Sequence, residues 1–205
     1  MHAHTPALSA TELQTEPTAP RLAPIDRYAG FWLGVLRTAF RWTFGKVMMP
    51  MRVIFPRIPG YAFTHLCAMI FMQRLSLPRS LSHALSMRVS RNNACSFCFD
   101  AHRAAFMLEK PDPAALQAAT RPLDDPALDP QTRAVLAYAD EVVHQGQVSD
   151  PVFAELAAHL SERQVVEVVW VAAFVTYLNL LSRPLRIQSD GFCAIVEARQ
   201  RAKLT

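Results

Sequence analysis

The sequence predicts an all-α domain, and three observations carry that expectation. Apolar residues recur three and four apart along most of the chain, the spacing that lines one face of a helix. No segment shows the apolar-polar alternation of a half-buried strand. Only 6 of the 205 residues are Gly, few for the positive-φ turns that a β-rich or nucleotide-binding α/β chain requires.

The elements follow in order. Residues 1–26 are rich in Thr, Pro and Ala without a sustained period, and are expected to form a flexible or loosely docked arm ahead of one domain over 27–205. Residues 28–49 carry Phe31, Trp32, Val35, Leu36, Phe40 and Trp42, interrupted by Arg37, Arg41 and Lys46. Such a basic, aromatic amphipathic helix could lie on a membrane, but the expected role is to cover its own core or a neighbouring subunit. Pro50, Pro56 and Pro59-Gly60 mark a connector. An apolar interior helix is expected over 61–73 and another over 79–91, with Pro78 as an early helical residue. Asn92-Asn93 is expected to end that helix and cap the next, since an Asn side chain satisfies free amides at a helix start. The following helix carries Cys95, Cys98, His102 and Phe106. A short helix opens at Pro111-Asp112-Pro113 and runs to about 119, and helices follow over 131–145 and 150–160. Ser161 and Gln164 form a capping-box pattern that launches a long apolar helix to about 181, and a last helix spans 190–203.

Composition narrows the function classes. The chain is 51% hydrophobic and 19% charged, which suits one well-buried core. Its formal charge of +4 is scattered among acidic residues, with no basic block interleaved with aromatics, so nucleic-acid binding is not expected. No stretch reaches the roughly 18 uninterrupted apolar residues of a spanning helix; the nearest, Val168 to Leu181, is expected to be a core helix, and a membrane is not an expected partner. The first residues lack a basic region followed by an apolar run, so no signal peptide is expected and a reducing cytoplasm is the default. There a CxxC points to redox or metal chemistry.

The chemistry-bearing residues are Cys95, Cys98 and His102. A CxxC on a helix puts two sulfurs on neighbouring positions of one face. In the opening turn the helix dipole and free amides favour a thiolate. His102 lies one turn beyond Cys98, within reach to exchange a proton with its sulfur, as in other activated thiols. The same residues leave a zinc set open, with Cys95, Cys98, His102 and His83 as ligands. Cys67 and Cys193 sit in apolar surroundings and are expected in the core. Glu167, a carboxylate inside an apolar helix, needs a partner and is a candidate for the active pocket. Tyr177 and Asn179 are expected to make helix-end hydrogen bonds.

The run Met87-Arg-Val-Ser-Arg-Asn-Asn-Ala-Cys95-Ser-Phe-Cys98-Phe-Asp-Ala-His102 resembles the core motif of the carboxymuconolactone decarboxylase superfamily. More narrowly, it is similar to the alkylhydroperoxidase D-like, peroxidase-related branch, whose members carry CxxCxxxH. Arg57-Ile-Pro-Gly60 resembles that branch's upstream turn, and Val148 to Leu156 with Glu167 to Asn179 its C-terminal half, so the resemblance covers about 45–190.

The resemblance implies an alkylhydroperoxidase D-like helical bundle with CxxC at the start of a central helix, assembled into homo-oligomers. It implies a thiol peroxidase or disulfide reductase that uses no cofactor beyond its own redox-active disulfide. A hydroperoxide is the implied substrate, and a dithiol or lipoyl-type partner the implied reductant. Carried over, Cys98 attacks the peroxide, Cys95 resolves the sulfenic acid, and His102 relays protons. The dipole alone favours Cys95 as the more acidic thiol. Three positions depart from the pattern. Relatives carry a Glu twelve residues before the first cysteine, where this chain has His83; their Asn-Gly-Cys is Asn93-Ala94-Cys95; and an Arg after the late Asn is Leu180. A His shuttles protons near neutral pH but is no permanent anion. Other readings are the superfamily's lactone decarboxylase chemistry, which needs no cysteine pair, and a non-catalytic redox-sensing or zinc-binding helical protein.

Overall fold

The computed structural model describes residues 19–26, 31–58, 60–109 and 111–202. Among these, every regular element is a helix: α1 (Phe31–Phe44), α2 (Met49–Val53), α3 (Tyr61–Met72), α4 (Arg79–Asn92), α5 (Ser96–Leu108), α6 (Pro113–Ala118), α7 (Pro130–Gln145), α8 (Asp150–His159), α9 (Glu162–Ser182) and α10 (Phe192–Ala202).

The helices pack around two adjoining cores. In the first, Leu81, Leu85 and Val89 of α4 meet Val135 and Tyr138 of α7 and Val168, Val171 and Val175 of α9. These residues follow the three-and-four spacing of one helix face, so burying them fixes the rotation of each helix. In the second, Met51 and Val53 of α2, Phe97 and Cys98 of α5, and Phe192 and Val196 of α10 pack together. Helix α9 is long and apolar enough to cross a membrane by composition, but its buried face is the wall of the first core.

Polar bonds register these helices. Arg88, buried in α4, donates to both oxygens of Asp140 in α7 at 2.6 and 2.5 Å, and to the carbonyls of Ala119 and Arg121. Asn92 Nδ2 donates to the same Asp140. Glu167 accepts from the amides of Ser76 and Leu77 at 3.0 and 2.8 Å, from the Ser76 hydroxyl, and from Arg163. Burial works against its ionisation, and these donors outweigh it, so its pKa lies below the ordinary carboxylate range. Glu167 therefore finds its partners in Arg163 and in the amides at the entry of α4, which it ties to α9, and it is not among the residues lining the cavity that Cys98 faces.

The helix starts explain most boundaries. Asp129 Oδ1 accepts from the Thr132 amide at 2.9 Å, and the Ser161–Gln164 capping box forms at α9. Asp100 Oδ2 and Oδ1 accept from the amides of Phe192 and Cys193, which places a carboxylate at the start of α10. Pro78 is the cap residue before α4 and not a helical residue. The proline-rich connector contains the short α2, whose start places Pro50 in the first turn, where its missing N–H costs nothing. Residues 19–26 are docked: the Arg21 amide donates to Leu185 O, the Ile25 amide to Arg52 O, and Asp26 pairs with Arg52 at 2.7 Å. The rest of the expected arm lies outside the described residues.

Two cysteine expectations divide. Cys193 is buried, and burial, reinforced by the carboxylate of Asp100, pushes its thiol pKa up. Cys67 is exposed, not in the core. Helix α3 is apolar on both faces, and the one bearing Phe63, Leu66, Cys67 and Ile70 points outward. High apolar content alone does not say which face is buried.

Candidate active site

The turn between α4 and α5 creates the site. Ala94 adopts a left-handed φ of 51°, and the Cys95 amide donates to Ser90 O at 2.8 Å. The chain re-enters a helix at Ser96, so Cys95 is the N-cap residue and its sulfur accepts from the Cys98 amide at 3.4 Å. The cap is thus a cysteine and not the expected Asn92 or Asn93. Their side chains instead bind Asp140 and the Thr176 hydroxyl.

Cys95 and Cys98 are joined in a disulfide with Cα atoms 5.3 Å apart. Both are almost wholly buried, yet they face different surroundings. Cys98 lines a cavity of about 370 Å³, whereas Cys95 does not. The cavity is walled by α1, α2 and the residues after it, α3, α5, α9 and α10, and its lining is overwhelmingly apolar. The exceptions besides Cys98 are His65, His102, Ser182 and the Tyr61 hydroxyl.

His102 lies one turn along α5 from Cys98 and opens onto the same cavity. Loss of water pushes its pKa down to about 3, with the charges of His83 and His65 acting in the same direction. It is a neutral imidazole at physiological pH, able to accept the proton of a thiol. Neither His102 nor His65 has a hydrogen-bond partner among the described residues.

His83 lies under this group. Its ring stacks on Phe106, with centroids 4.6 Å apart, and its Nε2 is 3.2 Å from Glu109 Oε1. Burial lowers its pKa, against the opposing pull of Glu109. The hydrogen bond from Arg79 holds Glu109 below the usual carboxylate range, with His83 adding to it. Position 83 thus carries no carboxylate, but one from the far end of α5 is bonded to it. The sequence hint was weak: Phe106 and Glu109 continue the face that starts at His102, in steps of four and three.

The alternative zinc set is not assembled. Among the described residues no group of three or more His, Cys, Asp or Glu side chains is arranged to hold a metal ion. The sulfurs are bonded to each other, and His83 points at Glu109. Asn179, expected at a helix end, is fully buried, and its Nδ2 approaches the Ser90 hydroxyl at 3.5 Å beneath the cysteine turn. His65 had no place in the sequence reading, its only signal being that it is the one histidine in the largely apolar α3.

The described helices share the fold of AhpD-like proteins of known structure, and in this chain a disulfide-linked CxxC opens α5. No family model matches the sequence, and no curated protein matches it. Solved structures do. A debrominase, Bmp8, in complex with 2,3,4-tribromopyrrole superposes with a TM-score of 0.74 at 17% identity, covering 88% of this chain and 99% of that one. An uncharacterised peroxidase-related protein with the AhpD core, from Ralstonia eutropha, gives 0.65 at 21% identity over 83% and 96% of the chains. A protein of unknown function from Agrobacterium tumefaciens, ascribed to AhpD-type antioxidant defence, gives 0.60 at 23% identity over 67% and 97%.

Proposed function

We propose that the protein is a thiol-dependent peroxidase in which Cys98 reduces a hydroperoxide. The observation that carries this reading is the asymmetry of the pair: Cys98 opens onto the cavity beside His102, and Cys95 lies behind it at the helix start. Geometry thereby favours Cys98 for attack, whereas the helix dipole favours Cys95 for acidity. Access decides, because an acidic thiol that the substrate does not reach cannot react with it.

The cycle starts from the reduced pair. His102 takes the Cys98 proton, and the thiolate attacks the terminal peroxide oxygen. An S–O bond forms as the O–O bond breaks, and the departing alkoxide takes the proton held by His102. Cys98 is oxidised to a sulfenic acid and the hydroperoxide is reduced to an alcohol. Cys95 then attacks the Cys98 sulfur, releasing water and forming the disulfide. A dithiol or lipoyl-type reductant restores both thiols by exchange, with no other cofactor. This cycle needs a reducing compartment, which keeps a cytoplasmic location within the proposal. His83 and Glu109 form the remote end of the relay: the Glu109 carboxylate, bonded to His83, supplies the negative charge that position 83 lacks.

Stopped-flow oxidation of the reduced protein tests the reading. Wild type should react with an organic hydroperoxide at least a hundredfold faster than free cysteine, and Cys98→Ser should not. Cys95→Ser should react once and stop at the sulfenic acid. If Cys98→Ser consumes peroxide like wild type, the roles are wrong.

A second reading is favoured by the apolar cavity and by the shared fold of the debrominase. A small halogenated aromatic and two thiols would give the dehalogenated ring, the same disulfide and the hydrogen halide. Halide release on mixing with a brominated pyrrole would favour it over peroxide reduction.

The proposal includes homo-oligomeric assembly, supported by the outward apolar row of α3, where Phe63 is 71% exposed, beside the exposed Val166, Val169 and Leu180 of α9. A monomer in equilibrium sedimentation at micromolar concentration would remove this part of the reading.

A further inference from the structure

Among the residues that line the cavity with Cys98 is one polar side chain, on α3, that the proposed cycle does not use. His65 projects from α3 into the cavity. Its ring is stacked on Tyr61 at 5.8 Å, edge-on to Phe55 at 5.6 Å and tilted against Phe174 at 6.3 Å. Those contacts fix its plane. Its Nδ1 is enclosed and unpartnered, and Nε2 makes no bond to any described residue, which leaves Nε2 as the nitrogen open to the cavity. Buried polar groups are almost always paired. An imidazole held this rigidly, with an open nitrogen in an apolar chamber, is a binding group waiting for a ligand. Burial keeps it neutral, so it recognises a hydroxyl or hydroperoxyl group and not an anion.

The chamber limits the rest of the ligand. A volume of about 370 Å³ is at the small end for small-molecule sites, and five aromatic rings, those of Phe40, Phe55, Tyr61, Phe97 and Phe192, contribute to its lining. Hydrogen peroxide would leave most of that surface against water or vacuum. A compact apolar body with one oxygen head fills it.

We infer that His65 is a substrate-binding residue that anchors the oxygen head of a compact, apolar aryl or branched-alkyl hydroperoxide against Cys98. This rests on the peroxidase reading for its chemistry, but the binding it requires is independent of turnover. As the O–O bond breaks, the alkyl-bearing oxygen gains charge, and a hydrogen bond from His65 is strengthened at that moment. Selection between substrates is thereby assigned to α3, not to the cysteine helix.

The test separates binding from chemistry. Titration calorimetry of the full-length oxidised protein compares 2-phenyl-2-propanol, the alcohol left by cumene hydroperoxide, with isopropylbenzene, which has the same body and no head. Wild type should prefer the alcohol, after correction for their transfer from water, by about three- to tenfold, the worth of one hydrogen bond. His65→Leu should lose that preference while still binding isopropylbenzene, and His65→Gln should recover part of it. If His65→Leu does not fold, the wild-type comparison and His65→Gln still decide. Equal preference in wild type and His65→Leu, or no preference in wild type, overturns the inference. In the kinetic arm, wild type should favour cumene hydroperoxide over hydrogen peroxide in kcat/KM by more than tenfold, and His65→Leu should narrow that ratio. Head-group binding at His65 without peroxide reactivity at Cys98 would sink the peroxidase reading and leave the binding site standing.

Discussion

On its inner side the cavity is bounded by α5, α9 and α10, and on its outer side by α1 and α3. The inner helices are held by buried polar contacts, Glu167 of α9 at the entry to α4 and Asp100 of α5 at the start of α10, and α5 and α9 pack on α4, which the Arg88–Asp140 pair ties to α7. The outer helices have fewer and more exposed polar ties, such as Arg37 of α1 donating to Asp26 O, and depend mainly on aromatic contacts. Helix α3 meets α9 through Phe71 on Trp170 and His65 against Phe174, and α1 presents Trp42 to solvent at 87% exposure. The difference separates two tasks. Thiol chemistry needs sulfur, base and amides fixed to fractions of an ångström, and it sits on the pinned wall. Choosing and admitting a ligand tolerates movement, and it falls to the thin wall.

The largest expected effect tests that contrast through stability. Arg88→Ala leaves Asp140 without its cation and two carbonyls without their donor. For an ion pair that is mostly but not wholly buried, the loss should be about 3 kcal/mol. Trp42→Ala or Phe63→Ser on the outer wall should change a free monomer by less than about 0.5 kcal/mol. Urea unfolding of the reduced protein at neutral pH gives both numbers. Comparable losses would erase the distinction between the walls. A concentration-dependent loss for Phe63→Ser alone would sharpen it, since that face would then be covered by another copy.

Acid should act on the site before it acts elsewhere. His102, His65 and His83 all have lowered pKa values in the folded chain, His102 to about 3. Lowered values mean that the unfolded state binds protons first, so stability rises with pH across that interval and falls as pH drops. The window opens at the unfolded value of about 6.5 and, for His102, closes near 3. The loss due to His102 should be on the order of 2 kcal/mol after allowance for its partial exposure. His102→Asn should flatten the slope of stability against pH between about 6 and 4. An unchanged slope would mean that the imidazole is not kept neutral by its surroundings.

A smaller effect is expected at the remote end of the relay. Glu109→Gln keeps a hydrogen-bonding group beside His83 but removes the charge. On the peroxidase reading, oxidation of Cys98 should slow about tenfold, roughly 1.4 kcal/mol of barrier. Its pH profile should shift as well, and Glu109→Asp should restore part of the rate. A tenfold loss with an unchanged profile would indicate a packing defect at His83.

Much of the fold is legible in the sequence, for a physical reason. Nine of the ten helices among the described residues are marked locally by a start signal or an apolar period, as at Asp112-Pro113, Asp129-Pro130 and Ser161–Gln164. What escaped was set by distant residues. Helix α2 has five residues, too few to show a period, and depends on Asp190 accepting from the Met49 amide. Cys67 looked buried because α3 is apolar all round, and only tertiary packing chooses a face. The site divides in the same way. Cys95, Cys98 and His102 lie within one stretch and share the cysteine helix, so spacing sufficed. His65 and Glu109 enter through packing of α3 and through the bond to His83; no sequence pattern marks His65, and Glu109 is marked only by the helix face it shares with His102. Glu167 left two readings open because a lone carboxylate in an apolar helix needs a partner, and the amides of Ser76 and Leu77 meet that need as well as a substrate would.

The smallest predicted effect lies on the pinned wall itself. Ala94 holds a φ of 51°, a left-handed conformation that costs a residue with a Cβ about 1 kcal/mol or more. The turn keeps it because the amides on either side are committed: Ala94 donates to Arg91 O and Cys95 to Ser90 O, and both bonds set the cap that holds the sulfur. Ala94→Gly removes the steric cost. It also gives the unfolded chain more freedom, worth about 0.4–1 kcal/mol in the opposite direction. The balance should be a stabilisation below about 1 kcal/mol, read as a small rise in the urea midpoint with an unchanged slope. Cys98 reactivity should stay within twofold of wild type, because neither bond that positions Cys95 involves the Ala94 side chain. A clear loss of stability would show that this methyl group packs usefully, and that the turn is held by contact as well as by its hydrogen bonds.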